Sequence, residues 1–219
     1  MAGEALPLVH VVGDSISMHY GPILERMLAG VARYSRKPPE TADPDSANGR
    51  DSDAVVAYLR GPLTPAAGAV DLLVVNCGLH DIKRTAAGAS PAVPPDRYRA
   101  NLARIVAHAR GVKARLVWIR TTPVDDETHN GRWAPGFHRY AADVAAYNGI
   151  ADVMMGAAGA PLVDLHGFTV GLGPGVYADH VHFVESVRAL QAAFIAGHLS
   201  RLIADAQTKQ GDTDALPTP

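Results

Sequence analysis

Val9-His10-Val11-Val12-Gly13-Asp14-Ser15-Ile16-Ser17 is the stretch whose reading decides the fold. The β-branched run reads as a buried strand, and Gly13-Asp14-Ser15 reads as the turn from that strand into a helix. Ser15 therefore stands at a helix start, among backbone N–H groups that lack intrahelical acceptors and at the positive end of the helix dipole. An oxyanion forming there would be stabilised, which makes Ser15 a candidate nucleophile. The same residues can also do nothing beyond capping, since Asp and Ser are favoured N-caps. The rest of the chain has to decide.

Downstream, Ile23, Leu24, Met27, Leu28 and Val31 recur at helical spacing, with Gly21-Pro22 predicting an irregular first turn. Residues 35–50 are polar and proline-rich and read as a surface loop ending at Asn48-Gly49. Asp51 or Ser52 then caps a helix carrying Val55, Val56 and Leu59. Asp71–Asn76 is a continuous apolar run, as expected of a parallel strand covered on both faces, and Gly78-Leu79-His80-Asp81 follows its end. A helix marked by Tyr98, Leu102, Ile105 and Val106 leads to a strand at 115–119, and the polar segment 124–136, with Trp133, is long enough to overhang a site. Beyond it the pattern predicts a helix from Phe137 to about Met155, with Val153 or Met154 among its inner residues. A short strand at 161–165, a glycine-rich flexible approach at 167–175 and a last helix from about Val184 to Ala204 follow. This alternation predicts an α/β sandwich around a mainly parallel sheet, with ligands gathering at the carboxyl ends of the strands. Residues 1–206 are expected to form one domain and 207–219 a frayed tail.

The formal net charge is −2, and the 20 basic residues form no block, so nothing points to a nucleic-acid partner. No stretch approaches the roughly 20 apolar residues of a membrane span. Cys77 is the single cysteine, which excludes an internal disulfide, and the chain runs into its first strand without a basic or long apolar leader. A cytoplasmic location is expected.

A serine hydrolase needs a base, a carboxylate to orient it, and oxyanion donors. Asp179 and His182 lie on one stretch near the carboxyl terminus, where a single turn can aim both toward Ser15, and no cofactor is required. In this order, Gly13-Asp14-Ser15, Asn48-Gly49, Gly78-Leu79-His80-Asp81 and Asp179-His180-Val181-His182-Phe183 resemble the blocks of the SGNH (GDSL-type) hydrolases. The resemblance implies a flavodoxin-like three-layer α/β/α sandwich with about five strands. It also implies ester hydrolysis through an acyl-serine, with Ser15 as nucleophile and Asp179 and His182 as its partners. The N–H groups of Ser15 and Gly49 would be oxyanion donors and Asp14 a turn stabiliser. The third block departs from the usual Gly-x-Asn-Asp, so His80 stands where the amide donor is expected. A neutral imidazole still carries one N–H and can replace it. Asn76 is the rival donor.

Asn76, Thr122 and Trp133, with Asp14, are the candidate substrate-binding residues, and Trp133 or Tyr20 could stack on a sugar ring. A small-molecule or carbohydrate ester is the implied substrate. The alternative is a carbohydrate-binding or scaffolding domain that keeps the fold without turnover. His80, Asp81, His166, His180 and His182 are metal-ligating types, but the early Asp-x-His and the Gly-Asp-x-x-Asp of two-metal phosphoesterases are missing, so no metal is implied. His10, His19, His108 and His129 read as structural or solvated.

Overall fold

The computed structural model describes residues 5–62 and 64–214, with side chains to residue 208. Five strands, β1 (Leu8–Val12), β2 (Arg33–Arg36), β3 (Leu72–Val75), β4 (Arg115–Ile119) and β5 (Leu162–Val163), form one sheet in the order β2-β1-β3-β4-β5. Every pairing is parallel. The helices are α1 (Ser15–Met27), α2 (Ser52–Arg60), α3 (Pro95–Gly111), α4 (Ala141–Ala158), α5 (Leu165–Gly171) and α6 (Glu185–Asp214). They fall into two packed groups, α1 and α5 against α6, and α2 and α4 against α3, which sandwich the sheet as the sequence predicts. Both faces of β3 are therefore covered, and all four of its residues are buried.

The order places a topological switch between β1 and β3: the chain leaves β1 outward to β2 and returns across it to β3. The connections then diverge at the carboxyl ends of β1 and β3, leaving a crevice there. Ser15 follows β1 and His80 follows β3, so the two motifs flank that crevice.

Several elements differ from the sequence expectation. Arg33-Tyr34-Ser35-Arg36, half of it assigned to the loop, is an edge strand: it has no apolar run, and its place comes from pairing with Leu8–Val11. The helix α1 starts at Ser15 and continues through Pro22, so Gly21-Pro22 is interior rather than a first turn, and Met27 is exposed. Of the two expected caps of α2, it is Asp51 that serves, accepting from the Ala54 N–H at 2.9 Å, in agreement with the expectation. The overhang winds into a π-helical turn at Glu127–Trp133. Residues 137–140 precede α4 instead of opening it; of the two expected inner residues Val153 faces outward and Met154 packs partly against the core, beside the buried Met155. Part of the glycine-rich approach is α5, which Asp164 caps through the Gly167 N–H. Finally, α6 runs on to Asp214, so residues 207–214 are helical, and 215–219 of the expected tail lie outside the described residues. Among the described residues no helix is long and apolar enough to cross a membrane.

Candidate active site

The turn after β1 is built by local hydrogen bonds. Asp14 caps α1, its Oδ1 accepting the Ile16 N–H at 3.0 Å, while the Ser17 hydroxyl donates to the Asp14 carbonyl at 2.7 Å. A Cβ on Gly13 would lie 2.9 Å from Ser17 Oγ, so the turn closes this tightly only without a side chain there. Ser15 is left as the first residue of α1, its own N–H without an intrahelical acceptor.

The loop before α6 is held by a short antiparallel closure. Tyr177 bridges Phe183, the Ala178 N–H donates to the His182 carbonyl at 2.8 Å, and Val184 N–H to the Val176 carbonyl at 2.9 Å. Val181 and Phe183 are buried, while His182 between them and Asp179 before them are partly exposed. Asp179 Oδ1 accepts the N–H groups of Val181 (2.9 Å) and His182 (2.8 Å), and its Oδ2 lies 2.7 Å from His182 Nδ1. His182 Nε2 is 2.8 Å from Ser15 Oγ, across 167 positions of sequence. Burial alone would raise the Asp179 carboxyl, but those N–H groups and the imidazole outweigh it and hold the pKa at about 2. An ionised Asp179 can only accept, so His182 carries its proton on Nδ1 and turns the Nε2 lone pair to the serine hydroxyl.

Across the crevice, Gly78 takes a φ of +153° against the Thr121 side chain, whose hydroxyl donates to the Cys77 carbonyl at 3.0 Å. Asp81 is fully buried, and both its oxygens accept the Ser52 N–H, at 3.0 and 3.1 Å. Asp81 thus ties the third block to the start of α2. Among the described residues no protein group hydrogen-bonds the His80 imidazole. Burial, assisted by Arg139, Lys83, Arg50 and His182, lowers its pKa to about 4, so it is neutral at pH 7 and carries one N–H. Gly49 differs from the expectation: its N–H already donates to the Gly13 carbonyl at 2.8 Å. A Cβ on Gly49 would stand 2.9 Å from that same oxygen, so in this structure the residue clamps the loop to the Gly13–Ser15 turn rather than presenting a free donor.

The remaining candidates are placed less favourably. Asn76 is 8 % exposed, and its amide donates to the Ile119 carbonyl at 2.9 Å, closing the end of the sheet instead of facing a ligand. Thr122 and Asp14 are buried, whereas Trp133 is 51 % exposed on the π-helical turn. Tyr20 is also buried. Among the described residues no three His, Cys, Asp or Glu side chains gather as a metal site.

Three residues that the sequence reading passed over, or set aside as structural or solvated, border the site. His19, one turn after Ser15 on α1, has its ring centroid 4.7 Å from that of His182; the i, i+4 spacing was the available signal. His129, fully buried, contacts the His180 carbonyl at 3.1 Å and His180 Nδ1 at 3.0 Å, linking the π-helical turn to the Asp179 loop. Arg139 reaches into the interior and donates from Nε to the Leu79 carbonyl at 2.6 Å.

No family model and no curated protein sequence matches the chain. Solved structures do. A lipase/acylhydrolase from Enterococcus faecalis superposes with a TM-score of 0.62 at 16 % identity, over 89 % of this chain and 96 % of that one. The chain shares that fold. An acetyl xylan esterase gives 0.65 at 14 % identity, over 87 % and 98 %. A GDSL-like lipase from Bacteroides thetaiotaomicron gives 0.62 at 18 % identity, over 94 % of each chain. The likeness extends over nearly the whole length on both sides.

Proposed function

We propose that this protein is a serine esterase of the SGNH (GDSL) type. The observation that carries the reading is the unbroken hydrogen-bonded series Ser15–His182–Asp179 at the mouth of the switch-point crevice. In this reading His182 Nε2 takes the Ser15 hydroxyl proton as Oγ attacks the ester carbonyl. The imidazolium, held by Asp179, then returns that proton to the leaving alcohol, and an acyl-Ser15 remains. Water, deprotonated by the same nitrogen, attacks the acyl carbon, and the proton goes back to Oγ as the acid leaves. The Ser15 N–H and the His80 imidazole N–H are the oxyanion donors. Gly49 joins them only by giving up its bond to Gly13.

Small acyl esters are the substrate class, with a polyhydroxylated alcohol favoured. A groove of about 780 Å3, mixed polar and apolar in its surface and lined in part by Asn48, Arg50, Tyr58 and His80, opens beside the proposed donor. The names of the similar structures, acylhydrolase and acetyl xylan esterase, are consistent with this. The test is hydrolysis of p-nitrophenyl acetate: turnover that Ser15→Ala abolishes is expected. A wild-type rate equal to that of Ser15→Ala would favour the binding-domain alternative.

A further inference from the structure

Arg139 is only 4 % exposed, and among the described residues its buried Nη1 has no hydrogen-bond partner. Burying a guanidinium costs several kcal/mol unless it is well paired, so an apolar side chain would serve the fold better at this position. Yet the guanidinium is carefully held. Its backbone is gripped from both sides by one side chain, Asn130 Nδ2 donating to the Arg139 carbonyl at 2.7 Å and Oδ1 accepting its N–H at 3.1 Å. Its Cζ lies 4.9 Å from the centroid of the Phe137 ring, over which Lys83 Nζ also sits at 4.0 Å. Burial lowers its pKa to about 10 against the pull of Asp14, so it remains a cation at neutral pH.

The acceptor it has chosen is informative. The Leu79 carbonyl belongs to the peptide group that joins Leu79 to His80, so fixing that oxygen fixes the plane from which the His80 side chain departs. A charge-assisted bond at 2.6 Å does this firmly. Among the described residues the His80 imidazole has no hydrogen-bond partner to hold it, and the residue stands where the family resemblance places an amide donor. We propose that Arg139 is a positioning residue: by pinning the Leu79–His80 peptide it aims the His80 imidazole at the oxyanion formed on Ser15. This rests on the esterase reading above, and it predicts that Arg139 acts through His80 and not independently of it.

A double-mutant cycle with Arg139→Met and His80→Ala on the full chain tests this, with Arg139→Lys as a charge-retaining second variant and thermal melting as the folding check. Misplacing a catalytic group by about an ångström costs on the order of a hundredfold. Arg139→Met should therefore lower kcat on p-nitrophenyl acetate about that much, with KM changed less than about threefold, and Arg139→Lys should fall between. In the His80→Ala background neither Arg139 variant should cost more than about threefold further, because the group being aimed is already gone. The charged and titratable groups facing His80 are Arg139, Lys83, Arg50 and His182, so loss of one cation should also raise the NMR titration midpoint of His80 above about 4. Additive losses, an unmoved His80 midpoint, or wild-type kcat in folded Arg139→Met would overturn the proposal. If Arg139→Met does not fold, the same cycle run with Arg139→Lys decides it. Wild-type protein without esterase turnover would defeat the esterase reading itself, an outcome separable from failure of the cycle.

Discussion

Asp179→Asn separates the two jobs that one carboxylate does. Oδ1 accepts two backbone N–H groups, at 2.9 and 2.8 Å, and Oδ2 faces His182 Nδ1 at 2.7 Å. An asparagine is nearly isosteric, and its carbonyl oxygen can keep both backbone donors, so the turn survives. Its amide nitrogen must then face His182 Nδ1, and being a donor it requires Nδ1 to be unprotonated. The proton moves to Nε2, and the imidazole presents a donor to Ser15 Oγ where it formerly presented an acceptor. A wrong tautomer of this kind costs about 10⁴ in kcat, or roughly 5 kcal/mol of barrier. Asp179→Asn should keep its fold but melt somewhat lower, because it loses the stability that the ionised carboxylate adds. Asp179→Ala also strips the acceptor from two N–H groups, at about 1–3 kcal/mol, and should be the less stable of the two. Stopped-flow or steady-state assay on p-nitrophenyl acetate at pH 7.5 reads the rate. An Asp179→Asn enzyme within tenfold of wild type, with the turn intact, would refute the assignment of the base and its tautomer.

Other outcomes follow from single contacts. His80→Asn should keep much of the activity while His80→Ala loses about a hundredfold in kcat; equal rates in all three proteins would remove His80 from the site. Gly49→Ala should reduce both activity and melting temperature, since its Cβ would meet the Gly13 backbone at 2.9–3.2 Å and press the loop off the Gly13–Ser15 turn; unchanged values would show that the clamp is dispensable. Burial raises the Asp81 pKa to about 7 against the Ser52 hydrogen bonds, so between about pH 4 and 7 the folded chain holds a proton that the unfolded chain has lost. Its contribution to stability therefore falls as pH rises through that window, and Asp81→Asn should flatten this part of the stability–pH curve in urea titrations. Asp179 has the opposite sign: its lowered pKa adds stability above the ordinary carboxylate value that is lost as pH falls toward 2.

What the sequence made legible was whatever rests on local pattern. The run Val9–Val12 and the turn after it read correctly because a strand covered on both faces must be apolar and a helix start needs a cap. Arg33–Arg36 gave no such signal, since an edge strand of four residues draws its structure from the neighbour it pairs with. Residues 167–175 look glycine-rich and loose, yet Gly167 sits under the Asp164 cap and the part to Gly171 closes as a helix. In the site, the Asp179–His182 turn was readable because both partners lie in one short stretch; its approach to Ser15 was expected from a serine's need for a base and from the likeness of ordered blocks, while the 2.8 Å contact itself is tertiary. Gly49 was read as a donor, but hydrogen-bond engagement with Gly13 is a tertiary fact that no spacing reveals. Arg139 was invisible for a related reason: a buried arginine has the same letter as a solvated one, and only packing against Phe137 and Leu79 distinguishes it.

The account depends on Ser15 being a nucleophile activated by His182. Intact-protein mass spectrometry after exposure to a fluorophosphonate measures that directly. A single phosphonyl adduct is expected, mapping to Ser15 and lost in Ser15→Ala and His182→Ala. No adduct on the folded wild-type chain, or an adduct on another residue, would contradict it.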